Sequence, residues 1–332
     1  MIIPMEYIDY RLPDDNAKTL FAATCEMGFR RSVNSAADAA LNRPGLRFIA
    51  LAGPTCSGKT TTAGILADKL SDAGRTVRSV SIDDFFLDRE VLVAEAEKNG
   101  TAVDLDSAKA IDIDGLSRFV DCIENGLPGK MPVFDFGTGR RSGYRDFAPS
   151  DNDIFIFEGI QAVYPEVVSL FPGQHLLRIF ISVTDGIDSP FGNWLPREIR
   201  LLRRLVRDSR FRNTDAETTF AHWDGVAANE IRNIEPYRDG CDIKLDSGMA
   251  YELPVLKDPA ITLLRTVEPS SRHYIRARML AEKLGGFPDM SEDFVPKDSV
   301  LREFIGEGNA GRCPDPPKPF PTRRVLESQE LL

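Results

Sequence analysis

The segment Gly53-Pro54-Thr55-Cys56-Ser57-Gly58-Lys59-Thr60 constrains this chain more than any other. It satisfies G-x-x-x-x-G-K-[ST] at every fixed position. The apolar run 47–52 before it reads as a short buried strand, and the stretch 60–71 after it reads as a helix that Gly74 ends. Glycines let the backbone wrap closely, so that its N–H groups point at phosphate oxygens. The following helix presents its positive N-terminus to the same anion. Lys59 is placed to reach the β- and γ-phosphates, and the Thr60 hydroxyl to ligate Mg²⁺. Thr61, next in the same turn, is counted with Gly53, Pro54, Thr55, Cys56, Ser57, Gly58, Lys59 and Thr60 as a nucleotide-contacting residue. A glycine-rich turn matched by chance would lack this strand–loop–helix context. Cys56 reads as a small residue tolerated in the loop rather than a reactive thiol.

Strands continue to alternate with helices downstream. The run 76–82 is a second strand with Asp83-Asp84 at its end, 154–157 is a third ending at Glu158, and 176–183 is a fourth. Helical patterns lie at 89–98, 113–124, 196–207 and within 215–232. The expected fold is α/β, a P-loop NTPase whose parallel sheet is covered by helices on both faces. Residues 1–45 read as an N-terminal helical appendage, with helical spacing over 17–31 that puts Leu20, Phe21, Cys25 and Phe29 on roughly one face. Residues 46–253 form the P-loop domain. Residues 254–332 form a helical C-terminal extension, helical at 254–267 and 270–285, with a proline-rich tail over 311–324.

Ligands of open α/β sheets gather at the carboxyl ends of the strands. Asp83 and Glu158 are expected there. Phosphoryl transfer needs a carboxylate near Mg²⁺ and a group to accept the proton of the attacking hydroxyl. The competing roles are a turn or N-cap aspartate for Asp83 and a solvated loop acid for Glu158. Seven arginines follow: Arg197, Arg200, Arg203, Arg204, Arg207, Arg210 and Arg212. Arg200, Arg203, Arg204 and Arg207 share one helical face. Such a one-sided cluster reads as an arginine-rich lid that closes over ATP and stabilises the charge of the transferring phosphate.

The net charge of −10 argues against a partner that is nucleic acid or an anionic membrane. No apolar run approaches the ~18 residues of a membrane span, and the start lacks a secretory signal pattern. The five cysteines, Cys25, Cys56, Cys122, Cys241 and Cys313, are scattered and show no metal-ligand spacing. A reducing cytoplasm fits them. The expected partner is a small-molecule substrate, a nucleoside or a sugar; a homo-oligomer stays open.

Several further segments carry a likeness. S-I-D-D-F-F at 81–86, L-D-S-A-K-A-I-D at 105–112, P-V-F-D-F at 132–136, F-E-G-I-Q-A at 157–162 and R-R-L-V-R-D at 203–208 stand in this order. Together with the P-loop they resemble the uridine kinase/phosphoribulokinase family over about 46–253. The stretch 233–257 and L-R-E-F-I-G at 301–306 resemble the larger bacterial uridine-kinase-like proteins. The resemblance implies a kinase that uses ATP and Mg²⁺. It implies that Asp83 activates a nucleoside 5′-hydroxyl and that Asp106 holds ribose hydroxyls with Arg204 nearby. Arg207 and Arg212 would reach the phosphates, Glu158 would serve the magnesium, and Lys59, Arg204 and Arg207 would join Asp83 in the catalytic set. Phe86, Phe134, Arg141 and His222 would line the acceptor pocket; His222 suits equally a structural histidine beside Trp223.

The chain departs from the family's pyrimidine readers at three places. Phe134 stands for a tyrosine, Gly139 for a histidine two residues before Arg141, and Phe86 for another tyrosine. Each change deletes a hydrogen-bonding group, and such groups supply much of the discrimination in polar sites. Three functions are therefore weighed: a nucleoside 5′-kinase, a kinase for a sugar or other hydroxyl compound, and a non-catalytic ATP-responsive binding protein. The retained Lys59, Thr60, Asp83, Glu158 and lid arginines weigh against the last.

Overall fold

A computed structural model describes residues 9–101 and 103–306. The expected proline-rich tail over 311–324 lies outside the described residues, as does Cys313. Asp14 opens the first helix, α1 (Asp15–Leu41), by accepting a hydrogen bond from the Ala17 amide at 2.8 Å. An N-cap of this kind is worth about 1 kcal/mol. The chain then enters β1 (Phe48–Ala52) and passes through the glycine-rich loop into α2 (Lys59–Asp72). There follow β2 (Thr76–Ser81), α3 (Arg89–Asn99), α4 (Ile113–Glu124), the hairpin of β3 (Gly129–Asp135) and β4 (Arg140–Phe147), and β5 (Asp153–Glu158). A short α5 (Pro165–Val168) leads to β6 (Leu176–Ser182) and a small hairpin, β7 (Ile187–Ser189) with β8 (Gly192–Trp194). The arginine-rich α6 (Pro196–Arg212), α7 (Ala216–Asn233) and short α8 (Glu235–Arg238) precede β9 (Ile243–Asp246). The chain closes with α9 (Glu252–Arg265), α10 (Tyr274–Gly285) and α11 (Arg302–Ile305).

Five strands form one sheet in the order β2-β5-β1-β6-β9, and every pairing is parallel. Alternate side chains of a strand face opposite sides, so each strand feeds two cores. Ile49 and Leu51 of β1, Ile154 and Ile156 of β5, and Ile179 and Ile181 of β6 join one cluster with α1, α2, α6, α9 and α10. Phe48, Ala50 and Ala52, with Phe155 and Phe157, join the other, which α4 covers through Leu116, Phe119, Val120 and Ile123. Helices on both faces explain why the central strands are apolar without alternation.

The N-terminal helix runs ten residues further than its sequence periodicity indicates. Ala22, Phe29, Val33, Ala36, Ala37 and Ala40 are buried in the first cluster, and small alanines let α1 lie close to the layer beneath. Tyr251, at the start of α9, donates from its hydroxyl to Glu26 of α1 at 2.5 Å and meets Ser299 at 3.1 Å. Residues on both sides of the 46–253 segment thus pack in the core that contains β1. Among the described residues, no helix is long and apolar enough to cross a membrane.

Candidate active site

The loop after β1 is shaped by close approaches that only glycine permits. A Cβ on Gly53 would stand 2.0 Å from the Ile181 carbonyl oxygen on β6. Gly58 caps α2 with φ +85°, and a Cβ there would meet Val300 at 2.4 Å. Both positions lie outside what an L side chain tolerates. Lys59 Nζ donates to the carbonyls of Gly53 at 2.9 Å and Pro54 at 3.1 Å, which keeps the ammonium over the loop. Thr60 is exposed at the first turn of α2. Thr61 is buried, and its hydroxyl donates to Glu303 Oε2 at 3.0 Å. Glycines that a Cβ would obstruct, a lysine over the loop and an open threonine at the helix start are the features a Mg-nucleotide site requires.

Two carboxylates converge beside this loop from neighbouring strands. Asp83 follows β2, and Glu158 ends β5 as the register partner of Ser81 and Leu51. The Ser81 hydroxyl donates to Glu158 Oε1 at 3.2 Å. Burial pushes the Asp83 carboxyl up to about 7, and the Glu158, Asp106 and Asp84 charges add to the rise while Lys59 opposes it. Burial likewise raises Glu158, against the pull of Lys59 and the Ser81 hydrogen bond. A carboxyl that titrates near neutrality is suited to accept a proton at physiological pH. Among the described residues, no group of three or more His, Cys, Asp or Glu side chains forms a metal cage. A magnesium ion would therefore take much of its coordination from phosphates and water, with Thr60 and Glu158 as the protein groups.

The raised Asp83 carboxyl has a consequence for stability. Its folded-state value lies above the ordinary one, so its stabilising contribution is present at low pH and is lost as pH rises through about 7. Asp83→Asn removes that loss. Because the side chain keeps partial solvent access, the expected gain over wild type is on the order of 1–2 kcal/mol at pH 8, and near zero at pH 4. Urea titrations at the two pH values in magnesium-free buffer check this; equal differences at both would contradict it.

Asp106 stands across from Asp83, and burial with the Asp104 charge raises its carboxyl. Asn229 of α7 donates to Asp106 Oδ2 at 2.7 Å, and the Tyr164 hydroxyl donates to the Asp106 carbonyl at 2.9 Å. His222 lies exposed two turns earlier on the same helix. Neither a pocket-lining nor a buried structural histidine fits that exposure, and the contact of α7 with Asp106 is made by Asn229. Phe86, Phe134 and Phe136 pack edge to face with centroids 5.2–6.3 Å apart, forming an apolar wall. Arg141 is engaged by Asp112 at 2.8 Å and by the Tyr144 hydroxyl at 3.1 Å. Gly139 has φ +70°, and a Cβ on it would stand 2.7 Å from Arg89 Nε. The place where the resembling family carries a histidine is thus taken by the Arg89 side chain.

Two of the α6 arginines counted with the lid over ATP, Arg200 and Arg203, turn inward instead. Arg200 and Arg203 are buried, and each is paired with a buried carboxylate, Glu230 and Glu252. Burial without a partner would cost several kcal/mol per charge, which is why the partners are present. Arg204, Arg207 and Arg212 all converge on Asp208, at 3.2, 2.7 and 3.6 Å. Arg204 also lies near enough to Asp106 to pull its carboxyl downward. No local signal marks Asn229, Glu230, Glu252 or Glu303 as site residues, since each meets its partner across 30 or more positions.

The family model of the phosphoribulokinase / uridine kinase family matches residues 48–253. The chain belongs to that family. The match takes in the loop, Asp83, Asp106, Glu158, Asn229 and α6. A uridine kinase from Staphylococcus carnosus is 27% identical over 210 residues, covering 63% of this chain and 90% of that protein. Inorganic pyrophosphatase TTM1 from Arabidopsis thaliana is 26% identical over 186 residues, which cover 55% of this chain and only 24% of the plant protein. Among solved structures, a protein assigned as a fructose transport system kinase from Silicibacter sp. TM1040 is 21% identical, with a TM-score of 0.49, over 64% of this chain and 98% of that one.

Proposed function

We propose that this family member moves the γ-phosphate of Mg-ATP onto a hydroxyl of an uncharged small molecule, with a nucleoside 5′-hydroxyl as the leading acceptor. The observation that carries the proposal is Asp83, a carboxyl that titrates near 7 beside the phosphate loop and opposite Asp106. Mg-ATP, when bound, supplies the phosphoryl group. The loop amides, Lys59, Thr60 and Thr61 would hold its phosphates, and Thr60 with Glu158 would hold the magnesium. Asp83 takes the proton of the attacking hydroxyl. Asp106, fixed by Asn229, accepts hydrogen bonds from neighbouring hydroxyls and so orients the acceptor. Arg207 and Arg212, gathered on Asp208, would reach the phosphates, and Arg204 would support Asp106 on the acceptor side.

Electrostatics support an uncharged acceptor. Beyond the rise that burial causes, the Glu158, Asp106 and Asp84 charges raise the Asp83 carboxyl further, so four acidic groups stand close enough here to repel one another and any anionic acceptor. A sugar phosphate or hydroxy acid would meet repulsion there. A second acceptor class, an uncharged sugar or polyol without a base, is favoured by one observation. Phe86, Phe134 and Phe136 offer the pocket a wall without side-chain hydrogen-bonding groups.

The test is ADP release from Mg-ATP by purified protein, against uridine, cytidine, other nucleosides, free sugars, and ribose and ribulose 5-phosphates. Stimulation by an uncharged compound is expected. Stimulation by the phosphorylated sugars alone would overturn the uncharged-acceptor reading.

A further inference from the structure

The phosphate loop has two faces. Where its N–H groups turn inward to an anion, its carbonyls turn outward and need donors of their own. Two of these carbonyls meet arginines of α6. Arg200 Nη1 donates to the Thr55 carbonyl at 3.0 Å, and Arg203 Nη1 donates to the Cys56 carbonyl at 3.1 Å.

The donors of Arg203 are fully engaged. Its Nε and Nη2 donate to Glu252 at 2.6 and 2.9 Å, Nη2 also to the Ser247 carbonyl at 2.6 Å, and Nη1 also to the Ser247 hydroxyl at 3.3 Å. With the Cys56 contact, all five N–H groups of the guanidinium are used. The side chain is fully buried, and the Phe304 ring centroid lies 5.1 Å from its Cζ. It has no donor left for a phosphate. Arg200 is nearly as enclosed: Nη1 and Nη2 both meet Glu230 at 2.6 Å, and Trp223 lies 5.6 Å away.

The loop itself is held in an unfavourable backbone state at this point. Cys56 has φ +57°, in the left-handed region, although it is not glycine. Such a residue persists where its surroundings over-determine it. The Cys56 carbonyl, fixed by Arg203, is one such determinant.

We propose that Glu252–Arg203 and Glu230–Arg200 are positioning pairs, which hold the phosphate loop in its anion-binding shape through the Cys56 and Thr55 carbonyls. The proposal rests on the kinase reading above. These two arginines act on the backbone under the nucleotide and do not touch its phosphates. Glu230 is also the neighbour of Asn229, which holds Asp106. One turn of α7 therefore braces both the acceptor side and the loop.

The test is the affinity of the full chain for magnesium β,γ-imido-ATP by calorimetry, with melting temperature recorded for every variant. Arg203→Lys keeps the charge but not the planar fork that reaches Glu252, Ser247 and Cys56 together. It is expected to weaken binding tenfold or more. Adding Cys56→Gly should recover most of that loss, because glycine adopts φ +57° without strain. A merely structural ion pair would not be relieved by a change in the loop. Arg200→Lys acts at the neighbouring carbonyl and serves if Arg203→Lys does not fold; it too should weaken binding at least tenfold. Wild-type affinity in folded Arg203→Lys or Arg200→Lys, or a loss in Arg203→Lys that Cys56→Gly leaves untouched, would overturn the positioning role. Failure of the wild-type protein to bind the analogue would instead remove the kinase reading itself.

Discussion

Asp83→Asn should abolish phosphoryl transfer while leaving Mg-ATP binding nearly intact. The asparagine fills the same volume and keeps a hydrogen-bonding side chain, but it cannot take a proton. General-base catalysis contributes roughly 10²–10⁴-fold, so turnover should fall by about that factor. The substitution removes one negative charge beside Lys59 and Glu158, so binding of the anionic nucleotide should stay equal or tighten slightly. Wild-type turnover should rise as pH passes through about 7, because Asp83 then loses its proton; that rise should be missing from the residual activity of the variant. Steady-state rates between pH 5.5 and 8.5, with calorimetric binding on the same samples, test both parts. A variant with wild-type turnover would show that another group is the base.

The second large effect concerns stability. Glu252→Ala should destabilise the fold by about 3–5 kcal/mol, the range seen when one partner of a buried ion pair is removed. Arg203 is fully buried and would keep only the Ser247 and Cys56 oxygens as partners. Glu252 also accepts from the Met249 amide at 2.9 Å, so the start of α9 would lose a contact as well. Denaturant unfolding gives the difference directly. A change below ~1 kcal/mol would mean that water or a rearranged carboxylate replaces Glu252, and that the pair contributes little.

The parts of this molecule that were legible in the sequence are those set by neighbours along the chain. The loop 53–60 could be read because its spacing and its flanking strand and helix are contiguous. Asp83 and Glu158 could be placed because each follows an apolar strand directly, and the parallel sheet brings both strand ends to one edge. The β3–β4 hairpin was less legible. Arg140, Arg141, Tyr144, Arg145 and Asp146 make β4 look polar, and its pairing with β3 alone leaves much of it exposed. β9 is only four residues long, too short for a periodic signal.

The arginines of α6 show the limit most clearly. Their i, i+3, i+4, i+7 spacing indicated one face, and charge alone indicated that this face meets solvent or phosphate. What the spacing could not reveal is that Glu230 and Glu252, 30 and 49 residues further on, turn two of those arginines inward. A buried guanidinium and an exposed one look alike until the partner is known. The same holds for Glu303, which reaches Thr61 across 242 positions and brings the segment after α10 against the start of α2.

The most direct test of transfer to a small molecule is the fate of the γ-phosphate. ATP labelled there would be incubated with magnesium, the purified chain and the most stimulating uncharged acceptor, and the products separated. The expected result is label on the acceptor, one equivalent for each ADP formed, and its loss in Asp83→Asn. Label released as inorganic phosphate, with the acceptor unmodified, would contradict the account and make the protein a hydrolase.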